Sequence, residues 1–319
     1  MTSSSGAILR EPRLRITRHR RLCLSITAVL LSLSVLGLVL SWLSPIGAPL
    51  KPGLDFTGGT AIQVERSCAD RCGELTVAEV QDALPTPAVV QLLDGGQAIS
   101  LRSSALTPAQ SGAIVDRLEQ IAGPLLLSDT QINTIGPVLG KQLLGSSVLA
   151  LSISFIGVAL YITVRYARLY AVLALLALAH DVLITAGVFA WLGLFAGIEV
   201  NSLFAVALLT LAGYSVNDTV VVFDRIREQQ RVLPDLTVED QVDRAVDGTL
   251  TRSIYTSLST EIPIFALILF GGQSLHWFAV ALFIGIAVGA WSSVAVVPPL
   301  LPLFGGRLPQ RGGAAGVVA

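Results

Sequence analysis

The chain has 319 residues, 53% of them hydrophobic and only 13% charged, with 21 Lys and Arg against 22 Asp and Glu and a formal net charge of −1. A soluble domain carries roughly 25% charged residues, so too little charge is present to cover a water-facing surface, which argues against a soluble globular enzyme. The near-zero net charge also lacks the basic footprint of a nucleic-acid binder, and no nucleic-acid partner is expected.

A membrane-crossing helix needs about 20 mainly apolar residues, because its backbone must satisfy its own hydrogen bonds in lipid. After a basic segment at 1–21, six stretches meet that need: 22–43, 143–164, 169–195, 200–222, 254–270 and 277–304. The first has too long an apolar core for a signal peptide and no small-residue cleavage site before Lys51, so it is expected to stay as an anchor. Lys and Arg are retained on the cytoplasmic side. Arg10, Arg13, Arg15, Arg18, Arg20 and Arg21 precede the first stretch; Arg165 and Arg168, then Arg225, Arg227, Arg231 and Arg244, then Arg307 and Arg311 mark the same side further on. The opposite short loops at 196–199 and 271–276 have none. Both termini, a loop at about 224–250 and the tail at 305–319 are therefore predicted to be cytoplasmic, and the N-terminal arginines act as a topology signal that also contacts anionic lipid.

Residues 44–141 are mixed enough to fold in water, and the topology puts them outside the cytoplasm. A strand is predicted over 60–65. Thr76-Val77-Ala78-Glu79 is a capping box opening a short helix. Strands over 89–93 and 98–102 flank the turn Asp94-Gly95-Gly96. Thr107-Pro108-Ala109-Gln110 opens a second helix, with Pro at its first position, apolar Ile114, Val115, Leu118 and Ile121 along one side, and Gly123 as its stop. A last strand covers 125–135. The order β-α-β-β-α-β is that of the split βαβ, ferredoxin-like unit. The fold class is thus an α-helical integral membrane protein of six spans, with one α+β ferredoxin-like domain between the first two. Cys23 falls in the first span. Cys68 and Cys72 fall in the inserted domain, where an oxidising compartment allows a disulfide; no His or second Cys pair accompanies them, so no zinc or other metal site is expected. The domain has no His and no nucleophile motif, so binding or a mechanical role is expected of it.

A charge at mid-bilayer costs roughly 2.5–3.5 kcal/mol, so one that persists usually has a partner or a function. His180-Asp181 lies near the middle of the third span, Asn217-Asp218 toward the end of the fourth, Arg252 at the start of the fifth and Glu261 inside it. Arg252, Thr256 and Thr260 recur every four residues, with Ser259 beside them, giving a polar stripe on one helix face. Gly213, Ser215, Asn217 and Asp218 offer small and polar groups on the fourth helix. Asp218 is read as a group that takes up and releases a proton, with Arg252 as its counter-charge; the structural alternative is a permanent Asp218–Arg252 ion pair that fixes helix packing. His180 and Asp181 are weaker members of such a pathway. Glu261 is expected to make a hydrogen bond within the bundle in its protonated form, and Pro263 to kink or loosen its helix. An intramembrane aspartyl protease would want Gly-x-Gly-Asp at the second carboxylate, where the sequence reads Ser215-Val216-Asn217-Asp218, and the chain has no P-loop.

These residues carry a resemblance. Gly53-Leu54-Asp55-Phe56-Thr57-Gly58-Gly59-Thr60, Ala179-His180-Asp181-Val182-Leu183-Ile184-Thr185 and the run from Gly213-Tyr214-Ser215-Val216-Asn217-Asp218 through Asp224-Arg225-Ile226-Arg227-Glu228 resemble the bacterial SecF family of protein-export membrane proteins. Thr251-Arg252-Ser253-Ile254 and Phe270-Gly271-Gly272 add to it, and the likeness runs from about residue 20 to 303. It implies a non-enzymatic accessory subunit of the Sec translocase, pairing with SecD in a twelve-helix assembly similar to the resistance-nodulation-division exporters. Such an assembly uses the proton-motive force, and no cofactor, to draw exported polypeptide chains out of SecYEG after SecA has driven them in. The location implied is the bacterial inner membrane, or a thylakoid membrane. A half-size small-molecule exporter of related architecture is the alternative. The resemblance assigns Asp218 and Arg252 to the proton pathway, with Asn217, Thr256 and Thr260 beside them, and makes Gly53, Asp55, Phe56, Gly58 and Gly59 a family signature. Two departures stand out: Ser253 where Thr is usual, and Glu261 where an apolar residue is common.

Overall fold

The computed structural model describes residues 11–67 and 73–304, so Cys68 and Cys72 lie outside the described residues. The chain divides into two units, 1–51 with 149–319 and 52–148.

The smaller unit begins with a four-residue helix, α2 (Leu54–Thr57), which follows the long α1 (Arg20–Leu43). Strands β1 (Gly59–Arg66), β2 (Ala88–Leu93), β3 (Ala98–Ser103) and β4 (Leu125–Ile135) form one antiparallel sheet in the order β2-β3-β1-β4. With helices α3 (Val77–Ala83) and α4 (Pro108–Ala122) between them, this is the expected split βαβ arrangement. Both capping boxes form: the Glu79 N–H donates to Thr76 Oγ1 while Thr76 N–H donates to Glu79 Oε2, and Thr107 with Gln110 does the same. Alternate residues of the strands, Ile62, Val64, Ile99 and Leu101, join Val80, Ile114, Val115 and Leu118 from the helices in one core. The expected turn at Asp94–Gly96 is a single turn of 3-10 helix with Gly95 at φ 66.

Five long helices follow: α5 (Pro137–Arg165), α6 (Arg168–Ala196), α7 (Ser202–Val232), α8 (Val238–Phe270) and α9 (Gly272–Ala295). With α1, they give six helices long and apolar enough to cross a membrane. Helix α9 packs against α6, α7 and α8, while α1 packs on α6. There Ser34 of α1 meets Gly187 of α6 closely, and Trp191 Nε1 donates to the Leu33 carbonyl at 3.0 Å. Small residues at such a crossing let the backbones approach, which is where helix packing in lipid gains its contact.

Two expectations change. The segment at 224–250 is a helical hairpin rather than a loop: α7 continues to Val232 and α8 starts at Val238. Its charges are spaced as helix supports, with Arg225–Glu228 and Arg227–Asp224 paired three residues apart. Phe223, Ile226, Val242, Ala245 and Val246 turn inward to a shared core with Tyr166 and Tyr170. The last stretch is not one helix either, since Val296 ends α9 and the Pro298-Pro299 pair sits in a short α10 (Val297–Leu300) before a 3-10 turn at Leu301–Phe304. Pro263 lies inside α8. At the arginine-rich end, Thr17 donates through both its N–H and its hydroxyl to the buried Asp243 carboxylate, at 2.9 and 2.7 Å, tying the start of α1 to α8. At the other end, Lys51 pairs with Glu199 at 3.6 Å and donates to the Gly197 carbonyl.

The capping box makes a pH prediction for α3. Hydrogen bonds from the Thr76 backbone and hydroxyl hold the Glu79 carboxyl below its usual 4.5. A lowered carboxyl value stabilises the fold above the unfolded value and loses that effect as pH falls through the folded one. Amide hydrogen exchange of residues 76–80 is expected to accelerate as pH is brought below 4.5, beyond the intrinsic trend, and Glu79→Gln is expected to remove that excess.

Candidate functional site

The polar groups inside the helix bundle gather around two carboxylates. Asp218 of α7 is 7% exposed and is held by two hydroxyls: Ser253 Oγ of α8 donates to Oδ1 at 2.9 Å and Ser293 Oγ of α9 to Oδ2 at 2.5 Å. Asp181 of α6 is fully buried. Ser215 of α7 and Ser292 of α9 donate to its Oδ2 at 2.5 and 2.9 Å, and His180 Nδ1 lies 2.8 Å from Oδ1. Ser215 and Asp218 are three apart on α7, and Ser292 and Ser293 adjoin on α9, so α9 donates to both carboxylates while α7 carries one and donates to the other. A buried carboxylate must have its acceptor sites filled, and here short hydroxyls fill them without spreading the helices apart.

Arg252 is not part of this arrangement. The expected pair with Asp218 does not form within the chain: among the described residues no ion pair reaches Asp218, and Arg252 is exposed. One residue along a helix turns the side chain by about 100°, so when Ser253 points at Asp218, Arg252 points away. The rest of the predicted stripe goes with it. Thr256 and Ser259 are exposed and Thr260 half-buried, and each hydroxyl donates to a carbonyl of its own helix. Asn217 and Gly213 are exposed on α7, whereas Ser215 and Asp218 face inward. Glu261 is partly buried on α8. Ser253, Ser292 and Ser293 escaped the sequence reading as ligands of carboxylates, because a serine in an apolar helix gives no pattern of its own; the one available signal was the spacing of Ser253 and Ser257 on the face opposite Arg252.

Asp224, Arg225 and Arg227 form a second, solvent-facing group at the arginine-rich end. Arg165 and Arg227 sit over the Tyr166 ring at 5.0 and 5.5 Å, and both approach Asp224, at 3.9 and 3.5 Å. Burial and the negative charge of Asp224 push the Tyr166 hydroxyl up to about 12, so it stays neutral there.

The glycine signature lies in the smaller unit and is architectural. Gly53 precedes α2, Asp55 and Phe56 are within it, and the Gly58 N–H donates to the Leu54 carbonyl at 2.9 Å. Gly58 and Gly59 have φ of 71 and 123, values that residues with a Cβ rarely adopt. A Cβ on Gly58 would also lie 2.8 Å from Pro137 Cα, and one on Gly59 2.5 Å from the Ser103 carbonyl oxygen. The pair is therefore what lets the chain pass from α2 into β1 against its neighbours.

With this geometry in place, comparison with known proteins is decisive. Residues 118–307 match the family described as protein export membrane protein SecD/SecF, C-terminal, and residues 44–70 match the SecD/SecF GG motif. The chain belongs to the SecD/SecF family. Protein translocase subunit SecF of Prochlorococcus marinus is 46% identical over 90% of this chain and 94% of its own length, and that of Synechocystis is 44% identical over 86% and 89%. Protein translocase subunit SecDF of Thermus thermophilus is 35% identical over 80% of this chain but only 34% of its own length. The crystal structure of SecDF, a translocon-associated membrane protein from the same organism, superposes with a TM-score of 0.77 at 31% identity, covering 93% of this chain and 39% of that one. This SecD/SecF family chain is thus a multi-pass membrane protein with the length of a SecF relative and somewhat over a third of a SecDF. The GG motif residues are those at the α2–β1 turn.

Gly59→Ala is expected to destabilise the smaller unit by about 1–3 kcal/mol, combining the cost of a left-handed backbone with overpacking against β3. A thermal melt of the purified protein followed by circular dichroism would read this as a lower transition, whereas Gly95→Ala, whose added Cβ meets nothing, bears only the backbone cost.

Proposed function

We propose that this chain is the SecF-type subunit of a proton-driven protein-export machine, working with a SecD-type partner to draw exported chains from a SecYEG channel fed by SecA. The reading rests first on Asp218. A buried carboxylate bound by neutral hydroxyls, with no cation on it, can take up and give back a proton; one locked to an arginine would be held ionised. The absence of that lock within the chain removes the packing-only explanation that an internal Asp218–Arg252 pair would have provided.

The exposed face of α8 supports a partner. Arg252, Thr256 and Ser259 lie on a stretch of helix that, by composition, belongs at or in the bilayer, and a guanidinium facing lipid is costly. A SecD-type helix laid on this face would bring its own acidic group to Arg252. One relative fits this: the Thermus thermophilus chain is named SecDF, and this chain covers only about 39% of its structure. The distribution of arginines supports cytoplasmic termini and, with them, a ferredoxin-like unit outside the cytoplasm, where it would meet the emerging polypeptide. The membrane would be the inner membrane or, given the cyanobacterial relatives, a thylakoid membrane.

The test is Asp218→Asn in membrane vesicles containing the partner and the channel. It is expected to abolish the proton-dependent part of export while leaving assembly intact, and Arg252→Lys, which loses the planar fork, is expected to impair the same component. Normal export by Asp218→Asn would overturn the proton role.

A further inference from the structure

Asp181 is a fully buried carboxylate to which the proposed function gives no task. It is also the most heavily ligated acid in the bundle, with Ser215, Ser292 and His180 all on it. A histidine and an aspartate in contact can hold one proton beyond the neutral imidazole and ionised carboxylate, carried either as imidazolium with carboxylate or as imidazole with carboxylic acid. His180 Nε2 is buried and has no partner among the described residues, so that nitrogen is unsatisfied as it stands, and a proton entering or leaving the pair can do so there.

The link to Asp218 runs through α9. Ser292 donates to Asp181 and Ser293 to Asp218, and each serine has a second acceptor 3.1 Å away in its own helix, the Gly289 and Ala290 carbonyls respectively. A hydroxyl has a single proton to give. An ionised carboxylate is the stronger acceptor and claims it; a protonated one can itself donate to the serine oxygen, and the serine proton then turns to the carbonyl. Each serine is therefore a rotor that reads the protonation of its carboxylate, and the two rotors sit on consecutive residues of one helix.

We propose that His180–Asp181 is a second protonation site and that the Ser292–Ser293 step of α9 couples its protonation to that of Asp218. The proposal rests on the reading of Asp218 as a titrating group. The groups facing Asp181 are His180 on its own helix, Ser215 on α7 and Ser292 on α9. The other titratable side chains on this helix and those packed on it are Arg168 and Tyr170 on α6; Tyr214 and Asp218 on α7, with Asp224, Arg225, Arg227, Glu228 and Arg231 further on toward its arginine-rich end; Arg20, Arg21 and Cys23 on α1; and His276 near the start of α9, while α10 has none. Of these acids Asp218 is the one three residues from Ser215 on α7 and bound by the neighbour of Ser292 on α9. Asp218 is thus the acid through which Asp181 is connected by shared helices.

The experiment is infrared difference spectroscopy of the full chain with its SecD-type partner in lipid bilayers, following protonated-carboxyl bands across pH. The Asp218 band is assigned by its loss in Asp218→Asn. Asp181→Asn is expected to move the midpoint of that band by about one pH unit, the scale at which two sites titrate as a pair. Ser292→Ala, which removes one hydroxyl, is expected to move it as well, and serves alone if Asp181→Asn does not assemble. A midpoint unmoved in the assembled variants overturns the coupling while leaving Asp218 as a titrating group. If Asp218→Asn removes no titrating band, the reading of Asp218 fails and the coupling falls with it.

Discussion

A carboxylate enclosed by helices in a membrane cannot turn to water, so its lone pairs must be met by the neighbouring helices. That demand organises the larger unit. Asp181 and Asp218 dictate which faces of α6, α7, α8 and α9 meet, because the hydroxyls of Ser215, Ser253, Ser292 and Ser293 reach them only in one rotation of each helix. Serine suits this role for a steric reason. Its hydroxyl is one bond from the Cβ, so the donor helix must come close, and small neighbours such as Gly289, where an added Cβ would lie 3.4 Å from Ser215 Cβ, permit the approach. Hydrogen bonding and close packing are here the same interaction.

Among the described residues, the Lys and Arg ion pairs of the bundle lie toward its ends. Arg165, Asp224 and Arg227 surround Tyr166 where the helices leave the apolar stretch, Asp243 holds Thr17 there, and Lys51 meets Glu199 at the opposite end. Exposed pairs of this kind contribute little individually. The buried Phe223, Ile226, Val242 and Val246 behind the pairs around Tyr166 supply the cohesion of the α7–α8 hairpin.

Much of this was legible in the sequence, for identifiable reasons. The ferredoxin-like unit announced itself through local chemistry: two capping boxes, a Gly-Gly turn and strands of alternating pattern. The long helices followed from apolar length alone. What sequence could not convey was rotation. A helix that is apolar on all sides has no pronounced face, so nothing distinguished Arg252 from Ser253 as the neighbour of Asp218, and the charged residue drew attention that belonged to the serine. The continuation of α7 and α8 beyond the apolar stretches was masked in the same way, because a run of charges reads as a loop until the inward spacing of Phe223 and Ile226 is set against it. The four-residue α2 is too short to have a pattern.

The inward and outward polar groups of the bundle differ in whether this chain satisfies them. The carboxylates facing inward have partners in this chain and can fold with it. The polar groups on the outer face of α8 are different: Thr256, Ser259 and Thr260 donate their hydroxyls to their own backbone, while Arg252 makes no ion pair among the described residues. A penalty of roughly 2.5–3.5 kcal/mol for such a charge in lipid is small enough for the chain to survive alone and large enough to favour a surface that covers it. Under the proposed pairing, the same guanidinium would give the partner its register, while Asp218, one helix inward and neutral in its surroundings, stays free to change its protonation when that surface closes.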